Sequence, residues 1–255
     1  GLGDVYKRQE EDGVLYLDTW QHRAVAVNDE NKLLAKVVSG DCPCKQFTLE
    51  VVSSGVERVA ELAQRADHVI VCAGNQPLIN AREEYDRPDI RLPKAQTALL
   101  NAAAAANEST LLYLVTGYPF AINKEKDTAK AVLCSTHLGP CLGHVAAATV
   151  FGENNPAGRT PTTWYRSVRD LPALDDYDIA KNHVTYLYFR GKPLYAFGYG
   201  LSYTTFAYSN LTVKQENGEV IATVNVQNTG ALDGDEVVQL YMSCLLYTSP
   251  SPRDG

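Results

Sequence analysis

Between Arg82 and Pro93 the chain reads REEYDRPDIRLP, which sets four carboxylates, Glu83, Glu84, Asp86 and Asp89, among three arginines. A carboxyl group that delivers a proton near neutral pH must be kept protonated by burial or by another negative charge, and it must sit where it can reach substrate. Several acidic groups close in sequence answer that need. Arg82 and Arg87 act the other way, because a nearby cation stabilises the ionised form. An arginine paired with Asp86 would leave one glutamate free for acid–base work. The plainer reading of the same residues is a solvated charged loop. Upstream, Asn75, Gln76 and Asn80 could hydrogen-bond a hydroxyl-rich ligand, although loop Asn and Gln also satisfy their own backbone. His137 and His144 could carry protons or act as ligands, against the plainer role of cap or surface residue. Trp164 and Tyr165 could stack on a flat ligand, but their place in an extended run far along the chain favours packing.

The elements that position these residues follow from periodicity. Residues 56–66 (VERVAELAQRA) place Val56, Val59, Ala60, Leu62 and Ala63 on one helical face. Residues 68–74 (HVIVCAG) read as a buried strand ended by glycine. A polar loop runs to Pro93, and the alanine-rich stretch 94–107 predicts a helix. Strands at 109–117 and 131–136 and a helix at 143–152 complete the pattern. This order predicts an α/β fold with a mostly parallel sheet sandwiched by helices. Ligands of such sheets lie beyond the carboxyl ends of the strands. That rim gathers the loop 74–93, the turn Gly117-Tyr118-Pro119-Phe120 and the segment His137-Leu138-Gly139-Pro140. From Ala207 the chain alternates apolar and polar residues around Asn217-Gly218, a hairpin signal that suggests a truncated all-β immunoglobulin/fibronectin-like sandwich over 207–243. Residues 10–45 read as an irregular, strand-rich lead-in.

The bulk properties bound the partners. The chain has 255 residues, 45% hydrophobic and 21% charged, enough for a full-sized core. A net charge of -7 argues against nucleic-acid and anionic-membrane partners, which are held by surplus Lys and Arg, and suits a neutral, sugar-like ligand. No apolar run is long enough to span a membrane, and the start lacks the tripartite order of a signal peptide. The two ends can be encoded as complementary strands: DVYKRQ (4–9) and CLLYTS (244–249) match the two readings of a sequencing-library adaptor. Residues 1–9 and 244–255 are therefore set aside as adaptor sequence, and the natural part is expected to be an internal fragment. Without Cys244, the five cysteines at 42, 44, 72, 134 and 141 form no disulfide framework, which favours a reducing, cytoplasmic setting. Cys42-Pro43-Cys44 is too tight for a zinc knuckle, and Cys72 and Cys134 read as buried thiols. No metal or organic cofactor is implied.

Taken together, the larger strings point further. Glu83-Glu84-Tyr85-Asp86-Arg87 fits E-x-x-D-R, and NPAGRTPTTWYRS (155–167), TYLYFRGKPLYAFGYGLSYTTF (185–206) and NTGALDGDEVVQLY (228–241) follow it. In this order they resemble glycoside hydrolase family 3, the β-glucosidase and β-xylosidase group. The resemblance covers about 46–243: the C-terminal α/β sandwich domain (46–206) and the start of a fibronectin type III-like domain. It implies retaining hydrolysis of a β-linked glycoside or oligosaccharide from the non-reducing end. It also implies a nucleophilic aspartate on a preceding (β/α)8 barrel, absent here and needed in cis, so the fragment alone would be inactive. The acid/base role falls on Glu83, with Glu84 the alternative, and Asp86, Arg87 and Asn75 are carried over as substrate-binding or site-support residues. The sequence departs from the E-G-x-D-R context of some members, because Glu84 and Tyr85 fill the middle places. A nucleotide-binding fold would want a Gly-rich phosphate loop, which Cys72-Ala73-Gly74-Asn75-Gln76-Pro77 does not supply. A non-catalytic carbohydrate-binding or adhesive module is the alternative, predicting sugar binding without hydrolysis.

Overall fold

The structure, a computed structural model, describes residues 5–11, 14–19, 23–36, 43–48, 50–75, 87 and 89–241. The chain divides into two units, Gly1–Arg58 and Val59–Gly255. The first holds a four-stranded antiparallel sheet in sequence order: β1 (Val5–Glu11), β2 (Val14–Thr19), β3 (Ala24–Val27) and β4 (Leu33–Lys36). Residues 5–9, set aside above as adaptor sequence, lie within β1. The β3–β4 turn closes on Asn28, whose side-chain oxygen accepts from the Glu30 and Lys32 backbone N–H groups, while Asn31 takes the left-handed conformation that asparagine tolerates. Cys44 is disulfide-bonded, although the odd number and irregular spacing of the cysteines suggest no disulfide framework.

Helix α1 (Gly55–Gln64) leads into the second unit, where β5 (Val69–Gly74), α2 (Lys94–Ala106), β6 (Thr110–Val115), the short α3 (Glu125–Thr128), β7 (Ala131–Ser135) and α4 (Leu142–Val150) follow. The three strands form a parallel sheet in the order β5-β6-β7. Central β6 is the most buried: Leu112 and Leu114 are fully enclosed and pack with Leu100 and Ala103 of α2. An all-apolar run is what a central strand of a covered sheet requires.

The edges differ from expectation. Ile70 is 48% exposed, and Cys72 and Cys134 are exposed rather than buried. Successive strand residues face opposite sides, so on β5 Val71 enters the core while Ile70 and Cys72 point away from it. On α1 only Ala63 is buried, and Val56 and Leu62 of its apolar stripe are exposed. An apolar run states that a strand can be covered, not that both of its faces are.

Further along, the separate family-like strings are sewn together. The Asn155 side chain donates to the Asp233 carbonyl and accepts from the Ser202 hydroxyl and the Tyr203 N–H, at 2.9, 2.9 and 2.7 Å. Arg159 pairs with Glu236 at 3.0 Å, both side chains largely buried. Trp164 is buried, meets Tyr195 edge to face, and bridges to it in backbone pairing; the Tyr165 hydroxyl accepts from the Thr185 N–H at the start of α5 (Thr185–Tyr188). Both aromatic residues therefore pack. Strands β8 (Phe206–Glu216) and β9 (Glu219–Asn228) form the expected hairpin, with Asn217 and Gly218 both at positive φ as a type I′ turn demands. Among the described residues after Thr205 this two-stranded sheet is the whole of the strand structure.

Candidate active site

The carboxyl ends of β5, β6 and β7 converge on one cluster. Gly74 ends β5 at φ +138, where a Cβ would collide with the Val115 carbonyl of β6. Its free edge is satisfied by the Gln96 amide of α2, which donates to the Gly74 carbonyl and accepts from the Gly74 N–H, each at 3.0 Å. Gln96 thus does for Gly74 what the peptide of a neighbouring strand would do. The next residue, Asn75, is 9% exposed. Its Oδ1 accepts from the Gly117 N–H at 2.9 Å and lies 3.2 Å from His137 Nε2. Because Gly117 donates to that oxygen, the amide orientation is fixed, and His137 donates through Nε2. One asparagine therefore ties all three strand-end connections.

Arg87 closes the other end of the acidic loop. Its Nη1 donates to the Pro119 carbonyl at 3.1 Å, and its guanidinium lies 3.7 Å from the centroid of the Tyr118 ring and 5.1 Å from that of Phe120. Burial pulls the guanidinium pKa down, with Tyr118 and Asp89 opposing, and burial pushes the Tyr118 phenol up, with Arg87 opposing. A half-buried cation held over aromatic faces recovers up to about 2 kcal/mol of its lost hydration. The turn is itself rigid: the Thr116 hydroxyl donates to the Tyr118 carbonyl and accepts from its N–H, and Ala121 donates to the Ile90 carbonyl. Phe120 is buried. The Tyr118 hydroxyl is buried without a hydrogen-bond partner among the described residues.

Glu83, Glu84 and Asp86 lie outside the described residues, as do Gln76, Asn80 and Arg82. Of the residues assigned to the site by the resemblance, the two that are described, Asn75 and Arg87, come together on the Gly117–Phe120 turn. His144 is exposed on α4. Sequence reasoning left Gln96 unmarked and gave Tyr118 and His137 no partner. Their partners are 22 to 62 positions away along the chain, where no local pattern reports them. Beside Arg87 a cavity of about 750 Å³ opens between the 89–94 strap, α2 and α3, with Asn101, Asn123 and Lys124 among its walls. In its wall the nearly buried Glu125 carboxylate accepts from the Thr97 hydroxyl at 2.8 Å.

The family model of the Glycosyl hydrolase family 3 C-terminal domain matches residues 8–203. The chain belongs to glycoside hydrolase family 3. A periplasmic β-glucosidase of Salmonella typhimurium is 35% identical over 201 residues, covering 73% of this chain and 26% of the relative. A xylan 1,4-β-xylosidase of Xylanibacter ruminicola is 32% identical over 197 residues, covering 73% and 22%. Among solved structures, a β-glucosidase of Streptomyces venezuelae in complex with D-glucose superposes with a TM-score of 0.60 at 30% identity, over 69% of this chain and 24% of that one. The α/β architecture is thus that of a family 3 C-terminal domain, and the described rim is its strand-end face. This family 3 chain spans about a quarter of the length of the curated relatives it matches.

Proposed function

We propose that this chain is the acid/base-bearing part of a retaining, exo-acting β-glucosidase or β-xylosidase that hydrolyses O-glycosidic bonds of glycosides and oligosaccharides. Glu83 is the general acid/base, with Glu84 the alternative, and Asp86, Arg87 and Asn75 support the site. In the first step the acid protonates the glycosidic oxygen while an aspartate attacks the anomeric carbon. In the second, the same group, now a carboxylate, takes a proton from the water that releases the sugar. The two carboxyl groups of such a pair stand about 5 to 5.5 Å apart. Here the aspartate belongs to an N-terminal (β/α)8 barrel outside this chain, so the separate chain turns over no substrate. The proposed organisation is a lead-in at 10–45, the sandwich domain at 46–206 and a partial fibronectin type III-like domain at 207–243, with 1–9 and 244–255 of adaptor origin. The open β8–β9 hairpin supports the third of these, since two strands alone bury too little to stand as a domain.

The observation that carries the reading is the fastening of both ends of the E-x-x-D-R loop, at Asn75 and Arg87, onto one strand-end turn of a family 3 domain. Glu83 stands four residues before Arg87, which is itself seated on that turn. The test uses the full-length gene product that carries this region. Glu83→Gln should lower kcat on oligosaccharides by about 10²- to 10⁴-fold with the fold retained, while Glu84→Gln stays near wild type. The reverse pattern moves the role to Glu84; two near-neutral variants sink the reading.

A further inference from the structure

Arg87 is held as a clamp. Its hydrogen bond goes to a backbone carbonyl, its flat face lies on Tyr118 and near Phe120, and the Asp89 charge acts on it more weakly than its burial does. A substrate-binding arginine keeps its fork free for the ligand, whereas here one prong and one face are committed to the protein. The residues under it do not yield. Phe120 is fully buried in the core, Tyr118 is braced by the Thr116 hydroxyl, and Tyr118 and Phe120 meet edge to face at 5.5 Å. The same turn holds Asn75 through the Gly117 N–H. Any displacement of the turn or of the guanidinium therefore reaches the acidic loop at a point directly bonded to its last residue.

The geometry points to Arg87 as a positioning residue for the general acid, acting through its seat on the Tyr118–Phe120 turn and not through contact with substrate. This inference rests on the acid/base assignment made above. Protonation of the leaving oxygen matters most when the leaving group is a poor one, an alkoxide, and least when it is an activated phenolate that departs unprotonated. A misplacement of about 1 Å in a catalytic group can lower a rate by about 10²-fold, so a loosened acid should be felt selectively. Lysine keeps the charge but neither the planar stack nor the fork, so it should not substitute fully.

The experiment uses the full-length gene product with two β-glycosides of one sugar, one with an alkyl and one with a dinitrophenyl leaving group. Arg87→Ala should reduce kcat/KM, which reports the first, protonating step, by about tenfold or more on the alkyl glycoside and by less than about threefold on the dinitrophenyl glycoside. Arg87→Lys should recover part of the loss, and Tyr118→Leu, which removes the ring but not the cation, should show the same leaving-group selectivity. Equal losses on both substrates, or a rise in KM alone, would overturn the inference in favour of a merely structural or a substrate-binding role. If Arg87→Ala fails to fold, Arg87→Lys and Tyr118→Leu carry the same comparison. Glu83→Gln and Glu84→Gln run alongside as controls. If neither is selective for leaving group, the acid assignment has failed; if one is selective and the Arg87 and Tyr118 variants are not, the positioning role has failed.

Discussion

Gly74 shows how little freedom the rim has at the level of single residues. Its positive φ and its approach to the Val115 carbonyl leave no room for a side chain, and backbone, unlike a flexible side chain, cannot step aside. Gly74→Ala should destabilise the second unit by more than about 2 kcal/mol, read from the denaturant midpoint at unchanged slope. Asp89 makes a gentler case. The Arg91 side chain, donating through Nε at 2.6 Å, holds the Asp89 carboxyl below its ordinary range. A carboxylate whose pKa is depressed on folding adds stability above its unfolded value, near 4, and loses that stability as pH falls through the folded value. Arg91 is largely solvent-exposed, so the contribution is well under about 1 kcal/mol. Asp89→Asn should accordingly lower stability slightly at pH 6 and by less as the pH is lowered below the ordinary carboxylate range, as thermal midpoints across that range would report.

Among elements, those written in local chemistry were legible from sequence. The alanine run of α2, the glycine that stops β5 and the Asn217-Gly218 turn each encode their own conformation, and the structure places them at Lys94–Ala106, Val69–Gly74 and the β8–β9 hairpin. What local chemistry does not encode is which neighbour an element receives. Cys72 and Ile70 sit in a run as apolar as β6 yet remain exposed, because strand order and not composition decides which face is covered. For the same reason Asn75 and Arg87 could be named as site residues while the turn that holds them could not. The strings that carried the family resemblance prove to be largely structural, since Asn155 joins three of them through side-chain hydrogen bonds. Asn155→Ala leaves those partners unsatisfied and should cost about 1–3 kcal/mol in equilibrium unfolding, without shifting the leaving-group dependence of the full-length enzyme.

At the scale of the molecule, the fastened rim separates what must stay fixed from what is able to vary. A chain segment whose two ends are pinned has already surrendered its closure entropy, and each doubling of its length adds only about 0.6 kcal/mol. Insertions or rewritten sequence between Asn75 and Arg87 are therefore thermodynamically inexpensive, whereas a change in the Gly117–Phe120 turn loosens both ends at once. Diversification of leaving-group preference would on this ground accumulate inside that ring, with its clasp left untouched.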